Sequence, residues 1–149
     1  METGSNLERL GLFALLVSLI VSVASCVATG APFKPGESVS GQASLYIYRV
    51  RAMAGAAYVW DVHLDDHKIT ELRHGGYFYT PIVPGSHTIS VKFQNGVSIK
   101  FLAEADQRYY FRVSASANVV VATFVLERVK ESLAMDELPQ MKLQPGTPD

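Results

Sequence analysis

The chain has 149 residues, of which 48% are hydrophobic and 18% are charged. This balance is typical of one globular domain combined with an apolar segment. Lys and Arg number 13 and Asp and Glu 14, so the formal net charge is −1. That value excludes the strongly basic character of nucleic-acid-binding domains. A single cysteine excludes an intrachain disulfide.

An apolar segment without charged residues covers residues 10–28. Its length fits the h-region of a signal peptide or a short membrane helix. Within it, Val23-Ala24-Ser25-Cys26 resembles the bacterial lipobox, in which an aliphatic residue and two small residues precede a cysteine. In lipoproteins of that class the cysteine becomes the first residue of the mature protein and carries acyl chains that hold it on a membrane. The resemblance implies a signal-peptide helix over residues 1–25 and lipid attachment at Cys26.

Two residues near this motif refine the prediction. The n-region has one cationic side chain, Arg9, and two acidic ones, so an uncleaved membrane helix stays open as an alternative. Residue 27 is Val rather than the Asp that favours inner-membrane retention in the lipoprotein sorting pattern. We therefore expect the periplasmic face of the outer membrane as the location.

The segments that flank the central part of the chain lack apolar periodicity. Residues 26–42 are interrupted by Pro, Gly and Ser, which predicts a flexible tether. Residues 144–149 read Gln-Pro-Gly-Thr-Pro-Asp, which predicts a disordered tail. The folded domain is expected between them, over residues 43–143.

Short alternating runs separated by turn residues fill the domain, and this pattern predicts an all-β fold. We expect a small antiparallel β-sandwich of seven or eight strands. Residues 119–126 are apolar on both faces, which predicts a central strand. Residues 127–138 are expected to form a short C-terminal helix, with Val129 and Leu133 on one apolar stripe.

Four motifs of the domain resemble a family of bacterial lipoproteins, the domain of unknown function 2846 family. The motifs are SLYIYR at 44–49, GGYF at 75–78, PGSHTI at 84–89 and RYYFRV at 108–113. The resemblance covers roughly residues 43–143 and implies a small β-sandwich in the cell envelope, without catalytic residues to carry over. Where that family often has Gly before the paired tyrosines this chain has Asp106, a residue type that also adopts turn conformations.

Aromatic residues form the first candidate site. Tyr46 and Tyr48 share one face of a predicted strand, and Tyr110 and Arg112 share one face of another. If these strands pair, their side chains form a ladder that could stack on sugar rings or bind a partner. Alternatively, the C-terminal helix covers the rings, and we favour this interpretation because an apolar helix stripe must be buried.

Alternating polar residues form the second candidate. Asp61, His63 and Asp65 lie on one face of a predicted strand and offer the oxygen and nitrogen ligands of a metal site. A solvated outer face that ends in a turn explains the same pattern. We favour the solvated face, because a metal site also needs supporting residues that orient its ligands.

The motifs of known catalytic sites are missing from the sequence: it contains no nucleophile elbow, phosphate loop or metalloprotease helix. We therefore expect a non-enzymatic interaction or scaffolding lipoprotein without a cofactor. Its expected partners are the membrane, through the lipid, and a protein of the envelope, but not nucleic acid. The alternative is a glycan- or peptidoglycan-binding lipoprotein that uses the aromatic face.

Overall fold

The computed structural model describes residues 27–92, 96–117 and 122–147. The predicted signal peptide, the lipobox Val23-Ala24-Ser25-Cys26 and its lipid-attachment cysteine lie outside these residues. The described residues form nine strands and a helix followed by a 3₁₀ turn. In chain order these are β1 (Ala43–Arg49), β2 (Trp60–Leu64), β3 (His67–Leu72), β4 (Gly76–Ile82), β5 (Gly85–Lys92), β6 (Val97–Ala103), β7 (Arg108–Ala117), β8 (Ala122–Val129), α1 (Glu131–Glu137), the 3₁₀ helix Leu138–Gln140, and β9 (Lys142–Leu143).

The strands form two sheets, which confirms the predicted sandwich. One sheet has the order β8-β7-β1-β4-β9 and the other has the order β3-β2-β5-β6. Three pairs of consecutive strands, β2 with β3, β5 with β6 and β7 with β8, are antiparallel, as expected. However, β1 pairs with β7 in parallel, and so does β4 with the two-residue β9. Parallel neighbours need a long crossover between them, and β2 to β6 supply it for β1 and β7.

Period-2 alternation places the apolar residues between the sheets. On β2, Trp60 and Val62 are fully buried, whereas Asp61 between them is half-exposed. The central strand β1 is buried on both faces, because the second sheet covers one face and α1 lies on the other. The core between the sheets contains Leu45, Ile47, Trp60, Val62, Leu72, Ile89, Val91, Phe101, Phe111 and Val113.

The C-terminal helix differs from the prediction in where it begins and in which residues it buries. It begins at Glu131, because residues 127–129 pair with β7 as part of β8. Leu133 is 43% exposed, and the buried positions are Ala134 and Leu138, which lie four residues apart. Burial thus follows a stripe shifted by one residue from the predicted one.

Strand β8 lies at the edge of its sheet, so the predicted central strand at residues 119–126 is wrong for the described part, 122–126. Phe124 and Leu126 pack against the core, whereas Val125 between them is 40% exposed. Val125 is an apolar residue on the outer face of this edge strand, and it makes residues 122–126 apolar on both faces, as in a central strand.

The connections between strands divide the sandwich into two ends. β1 ends where β4 begins, since Tyr48 pairs with Tyr77. β2 begins where β3 ends, since Trp60 pairs with Leu72. We call this the Val27 end, because Val27 bridges to His74 in the β3–β4 connection. The opposite end, with the β2–β3, β4–β5 and β6–β7 connections, is the Asp65 end.

The segments predicted as tether and tail contact the domain. The Ala28 amide donates to the His74 carbonyl at 3.1 Å, and the Leu143 amide donates to the Ala31 carbonyl at 2.8 Å. In the tail, the Thr147 amide donates to the Ile69 carbonyl at 2.8 Å. Both described segments lie along the sheets in this structure, and their mobility in solution stays a prediction. Across the described ranges no helix is both long and apolar enough to span a bilayer.

Candidate functional site: a covered tyrosine cluster

Five tyrosines lie side by side on the outer face of the β4-β1-β7 sheet. We call them the tyrosine cluster: Tyr46, Tyr48, Tyr77, Tyr79 and Tyr110. Tyr46 on β1 is opposite Tyr79 on β4 and Tyr110 on β7, so the strands that carry Tyr46 and Tyr110 are neighbours in the sheet. The Tyr46 ring stacks on Tyr110 with centroids 4.9 Å apart and lies 4.8 Å from the Tyr79 centroid.

The helix α1 covers this face. Ala134, Leu138 and Met141 pack on the rings, and Tyr46 is left only 1% exposed. Tyr48 and Tyr110 are equally buried. The speculative binding platform formed by Tyr46, Tyr48 and Tyr110 is therefore not an open surface in this structure, because the apolar stripe of the helix is buried on it.

Two carboxylates of the helix hold the hydroxyl groups beneath it. The Tyr48 hydroxyl donates to Glu137 at 2.6 Å, and the Tyr110 hydroxyl donates to Glu131 at 2.9 Å. Burial, and then the neighbouring carboxylate, raise the pKa of each phenol. Both tyrosines are therefore protonated at neutral pH and act as hydrogen-bond donors to the two glutamates.

The N-terminal segment covers the other side of the cluster. The Gly36 amide donates to the Tyr46 hydroxyl at 2.9 Å, and the Lys34 amide donates to the Tyr77 hydroxyl at 3.2 Å. The Tyr79 hydroxyl donates to the Glu37 carbonyl. Burial is the main cause that raises the pKa of Tyr46. No periodic pattern of residues predicts this docking, because backbone groups of an irregular segment make the contacts.

Arg112, the fourth predicted binding residue, lies at the edge of the cluster within an ion-pair network. Its guanidinium donates from Nε to Glu137 at 3.0 Å and from Nη1 to Glu127 at 2.9 Å. Burial opposes the charged form, but the two carboxylates outweigh it and raise the pKa of Arg112. Arg112 thus joins β7, β8 and α1, and its charge is compensated within the domain.

The residues of the candidate metal site, Asp61, His63 and Asp65, do not converge. Asp61 pairs with Lys68 at 2.8 Å, and His63 Nδ1 lies 3.1 Å from the Asp66 carbonyl. Asp65 turns away to a different histidine, His87. Within residues 27–92, 96–117 and 122–147 no three metal-ligand side chains are grouped closely enough to hold an ion.

The contact between Asp65 and His87 links the β2–β3 turn to strand β5 at the Asp65 end. His87 Nδ1 lies 2.6 Å from Asp65 Oδ2, and Nε2 lies 2.8 Å from the Val83 carbonyl. Burial opposes protonation of His87, but the hydrogen bonds to Asp65 and Val83 outweigh it and raise the pKa of the ring. Burial also acts against the Asp65 charge, yet its hydrogen bonds from His87 and the Thr88 amide lower the pKa of the carboxyl.

A buried arginine organises the Val27 end. Arg49, the last residue of β1, is 1% exposed and lies with its guanidinium carbon 3.6 Å from the centre of the Trp60 ring. It donates to the carbonyls of Tyr58 at 2.6 Å and of Gly55. The β1–β2 loop therefore wraps around the buried guanidinium of Arg49. The sequence does not predict this burial, because an Arg at the end of a strand normally faces solvent.

Comparison with known proteins gives a family and a similar solved structure. No curated protein matches the chain. A solved structure, the N-terminal domain of AlgF from P. aeruginosa, is similar with 22% identity and a TM-score of 0.38, covering 61% of this chain and 99% of that one. The family described as a protein of unknown function, DUF2846, matches residues 39–125. More than half of the chain lies in that match, and the chain belongs to the DUF2846 family.

Proposed function

We propose that the chain is a lipid-anchored bacterial envelope protein that holds a non-enzymatic interaction or scaffolding domain at a membrane. Cys26 is the residue that would carry the lipid, after removal of residues 1–25. The support from sequence is the apolar segment that ends in Val23-Ala24-Ser25-Cys26. With Val at position 27, the periplasmic face of the outer membrane is the proposed location.

The structural observation that carries the proposal is the position of Val27, the residue directly after Cys26. Val27 bridges to His74 at one end of the sandwich, and Ala28 beside it is buried. The chain is therefore attached to the domain immediately after the proposed lipidation site. An acyl anchor at Cys26 would hold a folded domain directly beside the bilayer, where confinement raises its effective concentration near envelope partners.

The contacts of the polar side chains support a binding role over catalysis. Glu137 joins Tyr48 and Arg112, and Asp65 joins His87. Each of these groups, which an acid–base mechanism would need at a substrate, is engaged in linking two elements of the sandwich. Burial of the tyrosine cluster gives no support to a glycan-binding face.

The intact mass of the protein extracted from membranes tests the anchor. We expect the wild-type mass to equal the chain from Cys26 onward plus acyl chains, and the Cys26→Ser chain to lack the acyl mass. Recovery of a wild-type chain of full length and without acyl groups would refute the proposal. Fractionation of inner and outer membranes then tests the location.

Crosslinking in living cells tests the binding role. We expect photo-crosslinkers on the domain surface to capture a discrete envelope protein. Saturable binding of purified envelope glycan by the full protein, abolished by substitution of Tyr46 or Tyr110, would instead favour the glycan-binding alternative.

A further inference from the structure

The β1–β2 loop at the Val27 end is unusually apolar for an exposed segment. Between Ala52 and Val59 it contains no charged residue. Met53 is 95% exposed and Tyr58 is 54% exposed. The loop is nevertheless held by the buried guanidinium of Arg49, which binds the carbonyls of Gly55 and Tyr58. These side chains are therefore presented to the outside by a fixed backbone.

Charge differs between the two ends of the sandwich. At the Val27 end, the described β1–β2 and β3–β4 connections contain Arg51 and Arg73 and no acidic residue, although Arg73 pairs with Glu71 of β3 at 3.6 Å. At the Asp65 end, the β2–β3, β6–β7 and β8–α1 connections contain one basic residue, Lys130, and four acidic ones. The acidic residues are Asp65, Asp66, Glu104 and Asp106. An anionic surface would therefore attract the Val27 end and repel the Asp65 end.

The proposed lipid anchor is located at the cationic, apolar end. Val27 bridges to His74. Gly75, which follows His74, packs against the Arg51 side chain: a methyl group added at Gly75 would be 2.8 Å from Arg51 Nε. Arg51 immediately precedes the apolar loop. Cys26 directly precedes Val27 in the sequence. A lipid at Cys26 would therefore be attached one residue before the segment that bridges to His74.

We propose that the Val27 end is a membrane-contacting surface, in which Met53 and Tyr58 enter the headgroup region of the phospholipid layer that holds the anchor. This inference rests on the proposed lipidation of Cys26. Tyrosine suits the boundary between headgroups and acyl chains, since its ring is apolar and its hydroxyl is polar. Arg51 lies where it would meet lipid phosphates. The acidic Asp65 end then faces away from the membrane toward the periplasm.

A labelling experiment with the lipidated full chain tests this orientation. Because Cys26 would be acylated, an introduced cysteine provides the free thiol for an environment-sensitive fluorophore. Met53→Cys places the label on the apolar loop, and Glu104→Cys places it at the Asp65 end as a matched control. The protein is inserted in vesicles of phosphatidylethanolamine and phosphatidylglycerol that contain spin-labelled lipid as quencher.

We expect the label at position 53 to shift to shorter emission wavelengths and to lose intensity with the quencher lipid, and the label at position 104 to do neither. Equal, water-like emission at both positions, from protein that is acylated and membrane-bound, would overturn the inference and leave the proposed function intact. A blue shift at position 53 without lipid quenching would also overturn it, since protein would then cover the loop. Absence of acylation would refute the proposed function itself.

Discussion

The Tyr48 hydroxyl and the Glu137 carboxylate, 2.6 Å apart, connect the central strand of the larger sheet to the last turn of its covering helix. The same carboxylate accepts the Nε hydrogen of Arg112 on β7, which is shared between its two oxygens at 3.1 and 3.0 Å. Glu137 therefore links α1 to the adjacent strands β1 and β7. Since α1 has only seven residues, its own backbone hydrogen bonds are too few to keep it folded without such contacts.

Substitution Glu137→Ala should destabilise the domain by about 2 kcal/mol, because it removes charge-assisted hydrogen bonds and leaves Tyr48 and Arg112 without this acceptor. Chemical denaturation measures the change. Asp136→Ala is the matched control, since Asp136 is an exposed acidic residue of the same helix, and we expect a change within about 0.5 kcal/mol. Equal effects of the two substitutions would contradict the role assigned to Glu137.

The contact of Asp65 with His87 should make stability depend on pH. Because folding lowers the pKa of Asp65 below its unfolded value of 3.8, the Asp65 carboxylate stabilises the fold above pH 3.8. This stabilisation is lost as the pH falls through the pKa of Asp65 in the folded state. The raised pKa of His87 contributes stability below 6.5 that is lost as pH rises through its folded-state value. The full contribution is therefore present between these two unfolded-state values. In the wild type, the pair should make the free energy of unfolding larger at about pH 5 than at about pH 8, and His87→Gln should remove this difference.

The comparison of wild type with variant isolates this pair, because other titrating groups are common to both chains. Asp65→Asn should flatten the same pH dependence while keeping the local backbone, since Asn tolerates the positive φ of 49° found there. The coupling in a double-mutant cycle should be about 1 kcal/mol, limited because the Asp65 side chain is 45% exposed. A coupling of zero near pH 5 would argue against the contact in solution.

The buried Arg49 should not be replaceable by lysine. Lysine lacks the planar fork that donates to the Tyr58 and Gly55 carbonyls while stacking on Trp60. We expect Arg49→Lys to cost about 3 kcal/mol in the free energy of unfolding. Arg51→Lys, at an exposed position two residues later, is the control and should leave stability within about 0.5 kcal/mol of wild type. A tolerated Arg49→Lys would show that guanidinium geometry is unimportant.

Docking of the N-terminal segment can be tested at Gly30. A methyl group at this position would lie 1.8 Å from the Leu143 carbonyl oxygen, so Gly30→Ala should displace the segment from β9. The Leu143 amide, which donates to Ala31, should then exchange with solvent about fivefold faster, as expected for loss of about 1 kcal/mol. The Lys142 amide, bound to Gly75, is an internal control. Unchanged exchange at Leu143 would indicate a free tether, as the sequence predicts.

Local patterns in the sequence predict much of the fold. Period-2 alternation puts Trp60 and Val62 on the face of β2 opposite Asp61, and both are buried. Asp106 adopts a positive φ of 61°, in keeping with its turn position. The stacking of Tyr46 on Tyr110 follows from the alternation of two strands once they pair. Each of these features depends on neighbours in the chain, or on one strand pairing.

Features that depend on several long-range contacts were not predictable in the same way. Residues 127–129 suit a helix by composition, and only their hydrogen bonds to β7 make them a strand. His87 and Asp65 meet because β2 pairs with β5. The burial of Arg49 requires the β1–β2 loop to fold back over it. In each case tertiary contacts outweigh the local preference of the residue.

The parallel pairing of β1 with β7 has a consequence for the export that we propose, which would deliver the N-terminus first. Ser44 would then remain without Arg108, its neighbour in the finished sheet, until most of the domain had crossed the membrane. Tyr46 and Tyr48 on β1 likewise remain exposed until α1 packs on them. An incomplete chain thus exposes an open strand edge and apolar rings together, both of which promote aggregation. Removal of α1 by a C-terminal truncation would therefore expose β1, the central strand of its sheet, rather than an edge strand.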